Sequence, residues 1–247
     1  MANVLSSDLA IFLVGTLAAA FVTGLAGFAF GIAAAGIWLY ALTPAQTSAL
    51  IVAYGLLVQG YAVWKLRHAI RPRRLAPFIV GSAIGIPAGV AALRWISPVH
   101  FRIGVGVLLI VFSLYNLVRP KLPEMKAAGR SADATVGFFN GALGGATGLG
   151  GLLPMIWSGL RGWPRDEQRA VFQPTAVATS LMTIAVFGGV GIITPDTAHL
   201  FMIGLPPLVA GSWLGWMLYG KLDEGAFRKV VLVLLLVSGV ALVAFNR

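Results

Sequence analysis

Residues 9–42 form one uncharged run of 34 residues, a length that suits no single membrane crossing. As a straight helix it would reach about 51 Å at 1.5 Å per residue, well beyond a hydrocarbon core of about 30 Å. Split in two, it gives halves of about 16 residues, a little short for two full crossings. Its middle, Thr23-Gly-Leu-Ala-Gly-Phe-Ala-Phe-Gly31, holds glycines that weaken a helix. The spacing predicts a broken helix. A second stretch, 133–163, has the same build around Gly141-Ala-Leu-Gly-Gly-Ala-Thr-Gly-Leu-Gly-Gly151.

Six apolar runs of ordinary spanning length accompany these two, at 46–66, 75–95, 101–118, 168–191, 198–219 and 227–245. With 11% charged residues against about 25% in a soluble domain, the chain is expected to live almost wholly in the bilayer. The longest polar stretch, 119–132, is too short for a soluble domain. The first residues, Met1 to Asp8, lack the basic region of a cleaved signal, so the first apolar segment is expected to be retained. Zero cysteines exclude disulfide and thiol chemistry.

The two broken stretches are also counterparts. Gly24-Leu-Ala-Gly27 aligns with Gly145-Ala-Thr-Gly148 at an offset of 121, and Thr43-Pro-Ala-Gln46 falls on Pro164-Arg-Asp-Glu167 at the same offset. Gly85-Ile-Pro-Ala-Gly89 matches Gly211-Ser-Trp-Leu-Gly215, and Phe101-Arg102 matches Phe227-Arg228, both at 126. The collinear order predicts an internal duplication: a first repeat over 1–120, a cytoplasmic linker over 121–132 and a second repeat over 133–247.

Charge chooses between two topologies. If all eight segments cross, Lys and Arg divide ten to eight and give no orientation. If each broken stretch is a re-entrant hairpin, one side collects fifteen, including Arg71, Arg73, Arg74, Arg130, Arg161 and Arg169, and the other keeps only Arg94, Arg102 and Arg247. That bias is what the positive-inside rule demands of a cytoplasmic face. The expected architecture is therefore an all-α polytopic membrane protein of two inverted four-segment repeats, each a re-entrant hairpin plus three transmembrane helices. Both termini are expected on the non-cytoplasmic side of a bacterial-type inner membrane.

Gly24-Leu-Ala-Gly-Phe-Ala-Phe-Gly-Ile-Ala-Ala-Ala-Gly36, Gly144-Gly-Ala-Thr-Gly-Leu-Gly-Gly-Leu-Leu-Pro154 and the helix-starting Phe101-Arg102 and Phe227-Arg228 resemble the TauE/SafE family of sulfite and organosulfonate exporters. The resemblance spans essentially the whole chain. It implies a transporter of small sulfur-containing anions, and the motifs that carry it are glycine patterns. The first motif has Ala29 and Phe30 where the second has Gly150 and Gly151, so the two half-sites are expected to contribute unequally.

The physical reading points to an anion as well. The second arm of a hairpin begins at the tip, where free N–H groups and the positive end of the helix dipole can hold an oxyanion without a charged side chain. The expected site takes Gly27, Phe28 and Gly31 from one tip and Gly148, Leu149, Gly150 and Gly151 from the other, facing each other across the midplane. Tight helix packing is the alternative explanation of the glycines, and both can hold at once. Polar residues within spans add Tyr54, Gln59, Gln173, Thr175 and Thr179 as candidates. At the offset of 121, Tyr54 corresponds to Thr175 and Gln59 to Ser180. Asn116 and Asn140 are expected at membrane interfaces, and Trp157 close to the second tip.

No acidic or histidine residue lies inside a span, and there is no phosphate-binding loop, metal motif or nucleophile–base set. An enzyme, a metal site, a cofactor and a nucleic-acid partner are therefore not expected. The net charge of +10 follows from short basic loops. The expected partners are the anion and the lipid bilayer, with room for a homodimer. The reading is a secondary transporter, an exporter by resemblance, working by alternating access. Its rivals are a passive anion channel and a non-transporting docking partner.

Overall fold

A computed structural model describes residues 6–26, 29–66, 68, 70–118, 125, 128–219, 221 and 223–244. Among them the chain forms ten α-helices: α1 (Ser6–Ala26), α2 (Phe30–Trp38), α3 (Pro44–Leu66), α4 (Pro72–Trp95), α5 (Pro98–Val118), α6 (Arg130–Thr147), α7 (Leu152–Leu160), α8 (Arg165–Gly189), α9 (Pro195–Leu218) and α10 (Glu224–Ala244). Four of them open on proline, whose missing N–H is one a first turn leaves unused. Among the described residues α1, α4, α5, α8, α9 and α10 contain stretches long and apolar enough to cross a bilayer. Large apolar side chains such as Val14, Ile84, Trp95 and Leu234 point outward, as a lipid-facing surface requires.

Both breaks fall where the glycines predict, but the arms are unequal. The first hairpin has arms of 21 and 9 residues and the second of 18 and 9, rather than equal halves. Two features cause the asymmetry. Polar Ser6, Ser7 and Asp8 wind into the first turn of α1, where an acid suits the dipole. At the other end the run leaves the helix after Trp38, with Tyr40, Ala41 and Leu42 closing a tight turn before Pro44.

Contacts divide the chain into two units, each drawing on both halves of the sequence. The first comprises Met1–Thr47, Ile96–Pro120 and Thr194–Arg247, and thus α1, α2, α5, α9 and α10. Here α2 folds back along α1: a Cβ on Gly15 would stand 2.7 Å from Ile37, and the Trp38 indole N–H donates to the Phe12 carbonyl at 3.3 Å. Trp38 is fully buried, its ring 5.3 Å from that of Phe12 and 5.9 Å from that of Phe30. α5 and α10 cross at Gly106 and Gly239, where each glycine faces the carbonyl of the other.

The second unit comprises Ser48–Trp95 and Lys121–Ile193, holding α4, α6, α7, α8 and most of α3. Its principal contact is between α4 and α6. Gly81, Gly85 and Gly89 on α4 meet the carbonyls of Ala134, Phe138 and Ala142, and Gly137, Gly141 and Gly145 on α6 meet those of Phe78, Ser82 and Ile86. A side chain at any of these positions would strike backbone, so the helices can approach this closely only with hydrogen there.

The first unit repeats the interlock. Gly211 meets the Leu17 carbonyl, Gly215 that of Phe21 and Gly24 that of Ser212. Shifting α4 positions by 126 and α6 positions by 121 converts Gly85–Phe138 into Gly211–Leu17, Gly89–Ala142 into Gly215–Phe21 and Ile86–Gly145 into Ser212–Gly24. Two offsets found in sequence thus reproduce three contacts between helices that are far apart in the chain.

Candidate anion site at the second hairpin tip

The turn between α6 and α7 is built on two left-handed glycines, Gly148 (φ 77) and Gly151 (φ 96). A β-carbon at Gly148 would stand 2.7 Å from the Ser48 carbonyl, and one at Gly151 would stand 2.5 Å from the Ala176 side chain. Both positions therefore need glycine twice over, for conformation and for space.

Asn140 organises the tip. It is fully buried, its amide N–H donates to the Ser82 hydroxyl at 3.2 Å and to the Thr179 hydroxyl at 3.3 Å, and its oxygen accepts from the Gly151 N–H at 2.7 Å. One side chain thus joins α4, α6, α8 and the start of α7. The expectation of an interfacial Asn140 is overturned, because its place on the glycine face of α6 carries it into the core. Ser48 holds the other side of the turn, donating to the Ala146 carbonyl at 2.7 Å. Neither residue stood among the candidates. The available signal was an amide in mid-span beside Gly137, Gly141 and Gly144, with Ala19 at the matching place of the first half.

The remaining polar groups are sorted by their partners. The Leu149 N–H reaches the Thr147 hydroxyl at 3.3 Å, and the Thr175 hydroxyl is used by its own helix at the Val171 carbonyl, 2.8 Å away. Gly150 lies against Thr179, and Leu149 is buried. Gln173 is buried on α8 next to Phe172, whose carbonyl lies 3.3 Å from the Gly151 β position, and among the described residues its side-chain oxygen has no hydrogen-bond partner. Tyr54 is fully buried on α3, one turn beyond the Ile51 that touches Gly148, while Gln59 is half-exposed. Gly31 belongs to the first turn of α2 in the other unit. Gly27 and Phe28 lie outside the described residues.

In the first hairpin Ala29 takes the left-handed conformation, φ 79, that glycine takes in the second. Trp157 lies away from the second tip: its indole N–H donates to the buried Asp133 carboxylate at 2.7 Å, near the start of α6. The orientation of the short arm places it there, because α7 runs back from the tip until the Leu160 carbonyl accepts from the Met125 N–H. Asp133 and Phe12 are separated by the repeat offset, so an indole ties each short arm to the same level of its long arm.

That end of the second unit is basic. Arg74 pairs with Glu167 at 2.5 Å and lies 5.2 Å over the Trp163 ring, with Arg161 at 5.4 Å over the same ring. Among the described residues the buried Nε and Nη1 atoms of Arg161 have no hydrogen-bond partner, a cation that sequence reasoning treated only as a loop charge.

Long apolar helices with outward-facing apolar side chains, and glycine-broken hairpins between them, define a polytopic membrane protein. A family model described as Sulfite exporter TauE/SafE matches residues 11–242, nearly the whole chain, and the chain belongs to that family. No curated protein and no solved structure matches it.

Proposed function

We infer that this chain exports a small sulfur-containing oxyanion, such as sulfite or an organosulfonate, across a bacterial-type inner membrane by alternating access. Family membership supports the solute class. The observation that carries the site is Gln173, a buried amide with an unpaired oxygen among the described residues, one residue on from the Phe172 whose carbonyl faces Gly151 of the glycine turn. An unpaired buried amide is costly unless a ligand completes it, and the amide can present either its oxygen or its NH2 to that side. Gly150 and the first turn of α7 would supply N–H groups to the same anion.

The architecture we infer is a pair of inverted repeats. Its support is the pairwise equivalence of the two glycine interlocks and of the two indole ties. The gathering of Arg71, Arg73, Arg74, Arg130 and Arg161 at the end of the second unit where α7 returns supports a re-entrant hairpin with that end cytoplasmic.

Purified protein in sealed vesicles tests the function. Saturable sulfite or sulfonate flux with counter-flow is the expected result. Flux that rises linearly with substrate and shows no counter-flow identifies a channel, and no flux of any sulfur anion overturns the reading.

A further inference from the structure

An open groove of about 550 Å³ runs between the first turns of α4 and α6, lined by Arg73, Ala76, Pro77, Val80, Arg130 and Ala134. We propose that it seats an anionic phospholipid, with the headgroup phosphate between Arg73 and Arg130 and an acyl chain along Ala76, Pro77, Val80 and Ala134.

Among the described residues the two arginines are the groove's only charged lining. Both are exposed, and among the described residues neither has a hydrogen bond or ion pair. Their neighbours are already engaged: Arg74 with Glu167 and Trp163, and Asp133 with Trp157. Among the described residues no carboxylate forms an ion pair with either arginine. Two helix N-termini end at the same place, since α4 starts at Pro72 and α6 at Arg130, and their dipoles add to the attraction for an anion.

Below the arginines the lining turns apolar, and Val80 is 58% exposed on a helix long enough to cross the bilayer. A soluble anion has no use for that half of the groove, whereas an acyl chain does. Pro77 adds a further feature. It has no N–H for the Arg73 carbonyl four residues earlier, so that acceptor is open to a donor from outside the helix. A headgroup with phosphate and free hydroxyls, as in phosphatidylglycerol, matches two cations and one spare acceptor. Basic pockets between helices at a cytoplasmic leaflet are a known class of lipid site. This assignment does not depend on which solute is transported.

The test is lipid binding to the full chain, delipidated in a neutral detergent and read by native mass spectrometry and thermal unfolding. Phosphatidylglycerol is expected to bind saturably and raise the unfolding temperature, and phosphatidylcholine is expected to do so about tenfold less well or worse. The double variant Arg73→Gln, Arg130→Gln should erase that preference, and Val80→Trp should weaken phosphatidylglycerol by blocking the chain channel from the lipid side. Arg71→Gln, at the same end but outside the groove, should change neither. Equal binding of the two lipids overturns the proposal, as does an Arg71→Gln effect as large as that of the double variant. Stabilisation by inorganic phosphate equal to that by phosphatidylglycerol would also overturn it, by making the groove a site for soluble anions.

Discussion

The Asn140 side-chain oxygen accepts the Gly151 N–H at 2.7 Å, so a residue in the long arm of the second hairpin fixes where its short arm begins. The same amide spends its donors on Ser82 and Thr179, which leaves it no rotational freedom. Asn140→Leu strands the buried Gly151 N–H and is expected to cost about 1–3 kcal/mol. Thermal unfolding in detergent measures it, and an unchanged midpoint would show that the tip does not lean on this bond. Asn140→Asp should also destabilise, because it keeps the acceptor but loses both donations.

Much of the fold was legible, and what escaped has a physical reason. The positions of the breaks and the two offsets could be read from glycine spacing, and apolar runs marked five of the six helices that are long and apolar enough to cross among the described residues, α4, α5, α8, α9 and α10; the sixth is α1, expected as a hairpin arm, and not the expected span at 46–66. Helix starts were placed two or three residues late, because apolar content marks a span's lipid-facing part whereas Pro44, Pro72, Pro98 and Pro195 mark its first turn. The unequal arms escaped because an uncharged run does not separate a helix from the turn over Leu39–Leu42. At the hairpin tip, the turn glycines Gly148 and Gly151 could be named from their type, but the roles of Asn140 and Ser48 there, and of Arg161 at the basic end, could not. Each acquires its role from a neighbour distant in sequence.

The interlocks make paired predictions. Gly85→Ala and Gly211→Ala, equivalent by offset, should each destabilise by about 3 kcal/mol or more, because the new methyl meets a carbonyl that cannot withdraw. Gly104→Ala, inside α5 with nothing within 4 Å of its β position, should raise stability by about 0.5–1 kcal/mol, the ordinary preference of a helix for alanine. If Gly85→Ala is damaging and Gly211→Ala is silent, the equivalence of the two contacts is not real.

Ala29 and Gly151 should respond in opposite directions. Left-handed backbone costs an alanine about 1–2 kcal/mol, of which glycine's greater freedom in the unfolded chain returns about 0.4–1 kcal/mol. Ala29→Gly is therefore expected to stabilise by up to about 1.6 kcal/mol by that difference. Gly151→Ala should destabilise, since its methyl would also meet Ala176. A loss of stability in Ala29→Gly would show that the methyl group matters more than its strain.

Topology can be read with single cysteines, since the chain has none of its own. Cysteines at the N-terminus and in 193–197 should label from outside the cell, and those at 70 and 125 should not. Labelling of 42–46 from the cytoplasmic side together with 70 from outside would overturn the re-entrant hairpin.

Salt separates groups that attract the anion from groups that hold it. The Arg71 side chain is 67% exposed and meets Glu167 only at 3.9 Å, so its effect on substrate is a surface field screened over about 10 Å at 0.1 M salt. Arg71→Gln should slow uptake at low salt and match the parent protein at high salt. Gln173 is buried, and its amide acts at contact distance, where screening is weak. Gln173→Leu should therefore weaken binding at every ionic strength, by about 1–2 kcal/mol for one neutral hydrogen bond. Its folding stability should hold or rise, because the unpaired oxygen leaves with the side chain. Sulfite binding by titration calorimetry across a salt series measures both. Were Arg71 essential at high salt and Gln173 dispensable, the site would lie at the basic surface and not at the hairpin tip.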